Sequence, residues 1–181
     1  MRDELIKLIP EFNLIKEHEL HENTLFAFIA AMESGGWSPK DLKKMPFTLL
    51  LDPCPATMLE HIRGVVKVAI AIAESLMDAY PGRKNMMPHM DILISGALLH
   101  DVGKFLEYEK KRGKAVKSKI GKLLRHPISG AGIAYSAGLP HQVQHAIAYH
   151  SHEGDGCRAT IESIIINHAD FCNFEPFKLE K

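Results

Sequence analysis

The chain has 181 residues, 46% hydrophobic and 24% charged, which suits one soluble domain with a true core and leaves room for a terminal extension. Its 22 basic residues balance 22 acidic ones, so no net field draws it toward nucleic acid or anionic lipid. Cys54, Cys157 and Cys172 form no C-x-x-C pair, which argues against a disulfide or thiolate–zinc framework and for a reducing cytoplasm.

In chain order, the opening "MRDELIKLIPEFNL" carries acidic residues and no long apolar run, so it does not read as a secretory signal. No stretch approaches the ~18 apolar residues that a membrane span needs. Helical periodicity predicts helices over 2–8, 22–33, 39–45, 57–79, 89–101, 128–137, 141–151 and 158–173. Ser38 before Pro39 reads as an N-cap with proline at the first helical position. The main breaks are "GG" at 35–36, "DPCP" at 52–55 and "YPG" at 80–82. No alternating strand and no repeat is predicted. The expected architecture is all-α: an N-terminal helical extension over 1–55, a catalytic body over 56–175 and a tail over 176–181.

One stretch is strongly basic, "EKKRGKAVKSKIGKLLRH" at 109–126. It reads either as a solvated loop with a short helix or as an electropositive rim for an anionic substrate. The "LHENTLFAFIAAMESGGW" segment of the extension reads as a packing helix followed by a turn.

Eleven histidines are the compositional outlier, and histidine is the commonest metal ligand. At about 100° per residue, His61 falls in line with Val65, Val68 and Ile72, opposite the charged stripe of Glu60, Arg63, Lys67 and Glu74. A histidine so placed is either a core residue bonded to a carbonyl or an inward-reaching ligand. His150 shares a face with Val143, Ala146 and Ile147, whereas His141 and His145 are predicted to face solvent despite their i, i+4 spacing. His152 lies past that helix and can bend back toward a cleft. His126, before Pro127, is a turn residue or a ligand. Asp170 ends an almost wholly apolar run, where a carboxylate needs a salt bridge or a cation. His168, with Ile164 and Ile165, reads as structural, and His18, His21 and His89 have no evident partner. In "GALLHDVGK", His100 and Asp101 stand side by side before Gly103 and Lys104, either as a helix end or as a pair of ligands.

Taken in order, His61, His100 with Asp101, His126, His150 and Asp170 form a set carried by "EHIRGVVKVA", "GALLHDVGK", "LLRHPISGA", "AIAYHSHEG" and "NHADF". The set closely resembles the HD-domain superfamily of metal-dependent phosphohydrolases over roughly residues 57–174, and His-Asp-x-Gly-Lys is its most specific part. The resemblance implies an HD-domain-like helical bundle in which His61, His100, Asp101 and Asp170 hold one divalent metal. His126 and His150 match the additional histidines of binuclear members, with Asp101 bridging two ions. "HSHEGDGCRA" lacks the Gly-Tyr-Pro signature of the cyclic-dinucleotide subclass, which counts against a cyclic-di-GMP phosphodiesterase and leaves His150 and His152 as alternative ligands.

The donor set suits one or two ions of Fe, Mn, Zn, Ni or Co better than calcium. With two ions about 3.5–4 Å apart, a metal-activated water would attack phosphorus. Asp101 and Lys104 are the expected catalytic residues, and Lys104, Arg125 and His152 the expected substrate contacts, Lys104 sharing a face with His100 if the helix continues. The implied substrate is a phosphomonoester or phosphodiester, a nucleotide or small phosphorylated metabolite. Two other functions use the same ligands: an HD-type di-iron oxygenase that cleaves C–C or C–P bonds, and a non-catalytic, metal-clamped regulatory module.

Overall fold

Two capping boxes set the start of the helical frame. Thr57 Oγ1 accepts from the Glu60 N–H at 3.3 Å while the Glu60 carboxylate accepts from the Thr57 N–H at 2.8 Å, satisfying donors that the first turn leaves unpaired. This box opens α3 (Met58–Ala79) one turn before His61. Ser38 and Asp41 repeat the motif at Pro39–Lys43. That segment is a 3₁₀ turn ending at Lys43 rather than the α-helix expected over 39–45, and Pro46 disfavours helical backbone at Met45, the last residue of the expected helix.

The computed structural model describes residues 1–179. The helices are α1 (Arg2–Leu8), α2 (His18–Ser34), α3, α4 (Met90–Leu99), the single turn α5 (Lys104–Glu107), α6 (His126–Ser136), α7 (His141–Tyr149) and α8 (Ile161–Cys172). The architecture is all-α, as expected, with ends shifted by a few residues. At the centre lies α4, buried from Asp91 to Leu99, with α2, α3, α7 and α8 packed around it. Its sequence "DILISGALL" is apolar on nearly every face, which is what a helix surrounded by helices needs.

The first 55 residues share this core. Phe28 of α2 meets Phe12 edge-on at 5.5 Å and Phe105 of α5 at 5.2 Å, and Trp37 Nε1 donates to the Phe105 carbonyl at 2.8 Å. Leu5, Leu25, Val65, Leu98 and Ile147 belong to the same continuous cluster. At the other end, Glu175–Lys178 forms a 3₁₀ turn, so residues 176–178 of the expected tail are folded, while 180–181 lie outside the described residues.

The basic run departs from expectation. Residues 108–117 form an antiparallel hairpin, β1 (Tyr108–Lys111) and β2 (Lys114–Lys117), followed by a 3₁₀ turn at Ile120–Lys122. The two-residue turn Arg112–Gly113 has φ of 52° and 78°, the doubly left-handed geometry that matches strand twist. Arginine there in place of Asn or Asp, and strands built of Lys and Glu, hide the hairpin from pattern reading. Among the described residues, no helix is long and apolar enough to cross a membrane.

Candidate metal centre

Five helix ends converge at one end of the bundle. His61 lies in the first turn of α3 and His126 is the first residue of α6. His100 and His150 cap the C-terminal ends of α4 and α7, and Asp170 lies in the last turn of α8. Helix C-termini carry unpaired carbonyls and partial negative charge, so three of them meeting here favour a cation. The chain leaves the helix at His100 and Lys104 begins α5, so the continuous helix that would have put Lys104 on one face with His100 does not form. Gly103 explains part of the His-Asp-x-Gly-Lys spacing: a Cβ there would lie 2.1 Å from the His126 carbonyl oxygen. Only glycine lets the turn after Asp101 approach the start of α6 this closely.

Asp101 divides its two oxygens between two donor sets. Oδ2 lies 3.3 Å from His61 Nε2 and 3.4 Å from His100 Nε2, and Asp170 Oδ1 completes that set at 3.2 Å from His61 Nε2. Oδ1 lies 3.2 Å from His126 Nε2 and 3.6 Å from His150 Nε2. His61, His100 and Asp101 form one group able to hold a metal ion, and Asp101, His126 and His150 form another. All six expected ligands therefore come together, and His150 enters the cluster while His152 does not.

The hydrogen bonds behind the rings fix their tautomers. Nδ1 of His100 faces the Ala97 carbonyl at 2.7 Å, Nδ1 of His150 the Ile147 carbonyl at 2.7 Å, and Nδ1 of His126 the Glu107 carboxylate at 2.9 Å. Each partner only accepts, so each Nδ1 carries the hydrogen and Nε2 is the ring atom turned toward the cluster as a potential ligand. The Nε2 atoms of His126 and His150 nevertheless stand 3.2 Å apart. Two facing lone pairs at that distance repel unless a cation draws both, and outer partners of this kind orient metal-ligating histidines. His61 differs: its buried Nδ1 has no hydrogen-bond partner among the described residues, and its ring is held by stacking on Phe47 at 4.4 Å.

The buried charges point the same way. Asp101 and Asp170 share one buried ammonium, Lys104, whose Nζ donates to Asp101 Oδ2 at 2.6 Å and to the Phe47 carbonyl at 2.8 Å. Burial opposes ionisation of Asp101, but Lys104 and the facing imidazoles hold its carboxyl well below the usual carboxylate range. Asp170 is held at about 2 against the same burial, chiefly by His61. Burial pushes His126 down to about 4 despite the pull of Glu107, so its ring is neutral and ready to donate a lone pair near pH 7. For His61, burial is outweighed by Asp101 and Asp170, and its pKa is raised. Protons and a metal would compete for that position.

A cleft of about 730 Å³ opens over the cluster, reaching Lys104, His126 and Asp170. Arg125 and His152 are at its rim; Arg125 pairs with Glu153 at 3.1 Å, and the His152 side chain is 75% exposed with its ring against Phe171 at 5.1 Å. The pattern reading overlooked Glu107, which sits among Glu109 and several lysines with nothing in the sequence to set it apart. It also misjudged two histidines. His145 is half-buried and accepts from the Ala159 N–H at 3.0 Å, tying the loop before α8, whereas His168 is exposed and not a packing residue.

Residues 58–173 match the model of the HD domain family. A curated relative, the dihydroneopterin 2′,3′-cyclic phosphate phosphodiesterase of Methanocaldococcus jannaschii, is 30% identical over 116 residues, which cover 62% of this chain and 44% of the relative. The chain thus spans less than half the length of that relative. No solved structure matches it.

Proposed function

The chain belongs to the HD-domain family, and we propose that it is a metal-dependent phosphohydrolase acting on a small phosphomonoester or phosphodiester of nucleotide size. In this reading His61, His100, Asp101 and Asp170 hold one divalent ion, and Asp101, His126 and His150 hold a second. The observation that carries it is the division of Asp101, with one oxygen facing each donor set at 3.2–3.6 Å. Fe, Mn, Zn, Ni and Co all suit such imidazole and carboxylate donors. Ions bound there would act as Lewis acids and lower the pKa of a water at the centre.

The chain's own groups have separate tasks. Asp101 holds the two sets in register, and Lys104 fixes Asp101 through Oδ2. An ammonium has three N–H donors, and two are used on Asp101 and Phe47, which leaves one for a phosphoryl oxygen in the cleft. Arg125 and His152, at the rim, would meet the rest of the substrate. The relative's cyclic phosphodiester makes small 2′,3′-cyclic phosphates the first class to assay, beside nucleoside monophosphates and sugar phosphates.

Elemental mass spectrometry on protein purified without chelator or metal-affinity column is the test, followed by turnover of that panel. Close to two equivalents of metal, with phosphate ester hydrolysis that needs them, is the expected result. A single equivalent would confine the site to His61, His100, Asp101 and Asp170. Iron with a mixed-valence EPR signal and no hydrolysis would replace this reading with the oxygenase. Protein that refuses added manganese, cobalt and iron would overturn it.

A further inference from the structure

Part of the wall of the cleft comes from outside the stretch that matches the HD domain. Leu49, Leu50 and Leu51 precede residue 58, and Phe174 and Phe177 follow residue 173, yet all five line the same cavity. Phe47 joins the two flanks. Its ring, 1% exposed, lies 5.9 Å from those of both Phe174 and Phe177. The same ring stacks on His61 and the same residue's carbonyl receives Lys104, so the apolar wall is fixed directly to the donor cluster.

Apart from the donor cluster, the polar lining of the cleft comes from Tyr108, Lys117, Arg125, Ser151 and His152, and among the described residues the two flanking segments add only Thr48 and Lys178. Away from the donor cluster the lining has no Asn or Gln among the described residues. Thr48 Oγ1 is engaged by the Leu50 N–H at 3.2 Å, and Lys178 lies over the Phe174 ring at 4.1 Å. A site that discriminates by hydrogen bonding presents fixed donors and acceptors to the ligand edge. On the two flanking segments the features are chiefly leucine side chains and aromatic faces, one of them, Leu50, 78% exposed although it lines the cavity. Such surface gains by covering an apolar or flat ring.

We propose that the cleft selects phosphate esters whose organic group is apolar or aromatic, and that the two flanking segments, 47–51 and 174–178, determine this selectivity without reading the edge of a base. The inference rests on the hydrolase reading only for the phosphoryl end of the ligand. It assigns Leu50 and Phe177 as specificity residues that leave the donor cluster untouched.

The test uses manganese-loaded protein and two ligands that cannot be hydrolysed, methylphosphonate and phenylphosphonate, with affinity measured by calorimetry. Phenylphosphonate is expected to bind at least about tenfold more tightly, since even one methylene in an apolar pocket is worth roughly tenfold. In the double variant Leu50→Ser, Phe177→Ala that advantage should fall to about twofold, with methylphosphonate affinity and metal content unchanged. Both side chains reach solvent, so the variant should fold, and unchanged metal content checks this. Equal affinity for the two phosphonates in the wild type, or an advantage retained in the variant, overturns the inference while leaving the hydrolase reading intact. If neither phosphonate binds the metal-loaded protein, the phosphoryl site fails and both readings fall. AMP, GMP, CMP and UMP should bind within about threefold of one another, and a preference of about thirtyfold for one base also overturns the inference.

Discussion

The donor cluster and the apolar wall of the cleft are neighbours built on opposite plans. The cluster is made of helix ends and held by buried hydrogen bonds behind the rings of His100, His126 and His150. The wall is made of a loop and a terminal 3₁₀ turn, partly exposed, from segments on either side of the matched domain. Rigid elements place groups that need sub-ångström accuracy, and loops carry what varies with the ligand. Chemistry and selectivity should therefore respond to different substitutions. Removing cluster residues should change metal content, and removing the solvent-reaching wall residues Leu50 and Phe177, unlike Phe47, should change only which ligand binds.

The sharpest way to break that division is at Asp101. Asp101→Ala should abolish metal binding at both donor sets and lower turnover by at least about 10³-fold, some 4 kcal/mol of barrier. It also strands the Lys104 ammonium in the interior, which costs about 3–5 kcal/mol of stability. Asp101→Asn keeps the shape and should separate the two effects, losing metal with a smaller drop in melting temperature. Either variant with full metal content and full turnover would remove the cluster from the chemistry.

Gly103→Ala is next. Its Cβ would meet the His126 carbonyl at 2.1 Å and the Gly130 nitrogen at 2.8 Å, both backbone atoms that cannot swing aside. The expected cost is about 2–4 kcal/mol, read from denaturant unfolding. Because the clash falls at the start of α6, the ion at His126 and His150 should be lost while that at His61, His100 and Asp170 stays. Loss of both equivalents together would mean that the two sets are not independent.

Glu107→Gln is gentler. Glu107 accepts from both Nδ1 and the backbone N–H of His126, so it is a positioning residue that aims Nε2. Metal affinity of the second set should fall about 10- to 100-fold, visible as a changed cobalt absorption spectrum, with the first set retained. Burial raises Glu107 while His126 lowers it further, and the net shift is down, so the carboxylate that orients the ring is ionised at neutral pH.

How far these roles could be read in advance follows the physical signals available. The inward direction of His61 and His150 is set by a period of 3.6 and was legible from their apolar neighbours. Joining them to His100, Asp101, His126 and Asp170 took a family resemblance, because no local pattern links residues from five helices. Glu107 was illegible for a different reason: in "KFLEYEKK" it alternates with Glu109 at the start of a charged run, and nothing local tells the buried glutamate from the exposed one. The contact of Phe47 with Phe174 and Phe177 spans most of the chain, and local periodicity carries no information over that distance. The hairpin was hidden because its turn uses Arg112–Gly113 and its strands are mostly lysine and glutamate.

Lys117 tests where cluster ends and rim begins, with the smallest effect. Its side chain is 42% exposed at the edge of the cleft, yet Nζ comes within 3.7 Å of Glu107, the carboxylate behind His126. An exposed pair of this kind is worth about 0–1 kcal/mol and is screened by salt, because water competes for both partners. If Lys117 belongs to the rim, Lys117→Ala should raise KM for an anionic substrate about two- to threefold with kcat and metal content unchanged. The difference should vanish in about 0.5 M salt, where screening extends over only a few ångströms. If Lys117 instead helps to hold Glu107 in place, the variant should lower metal affinity at His126 and His150, and added salt should not erase the difference between variant and wild type. The geometry favours the first outcome, since Glu107 already has two hydrogen bonds from His126 and needs no third partner to stay aimed.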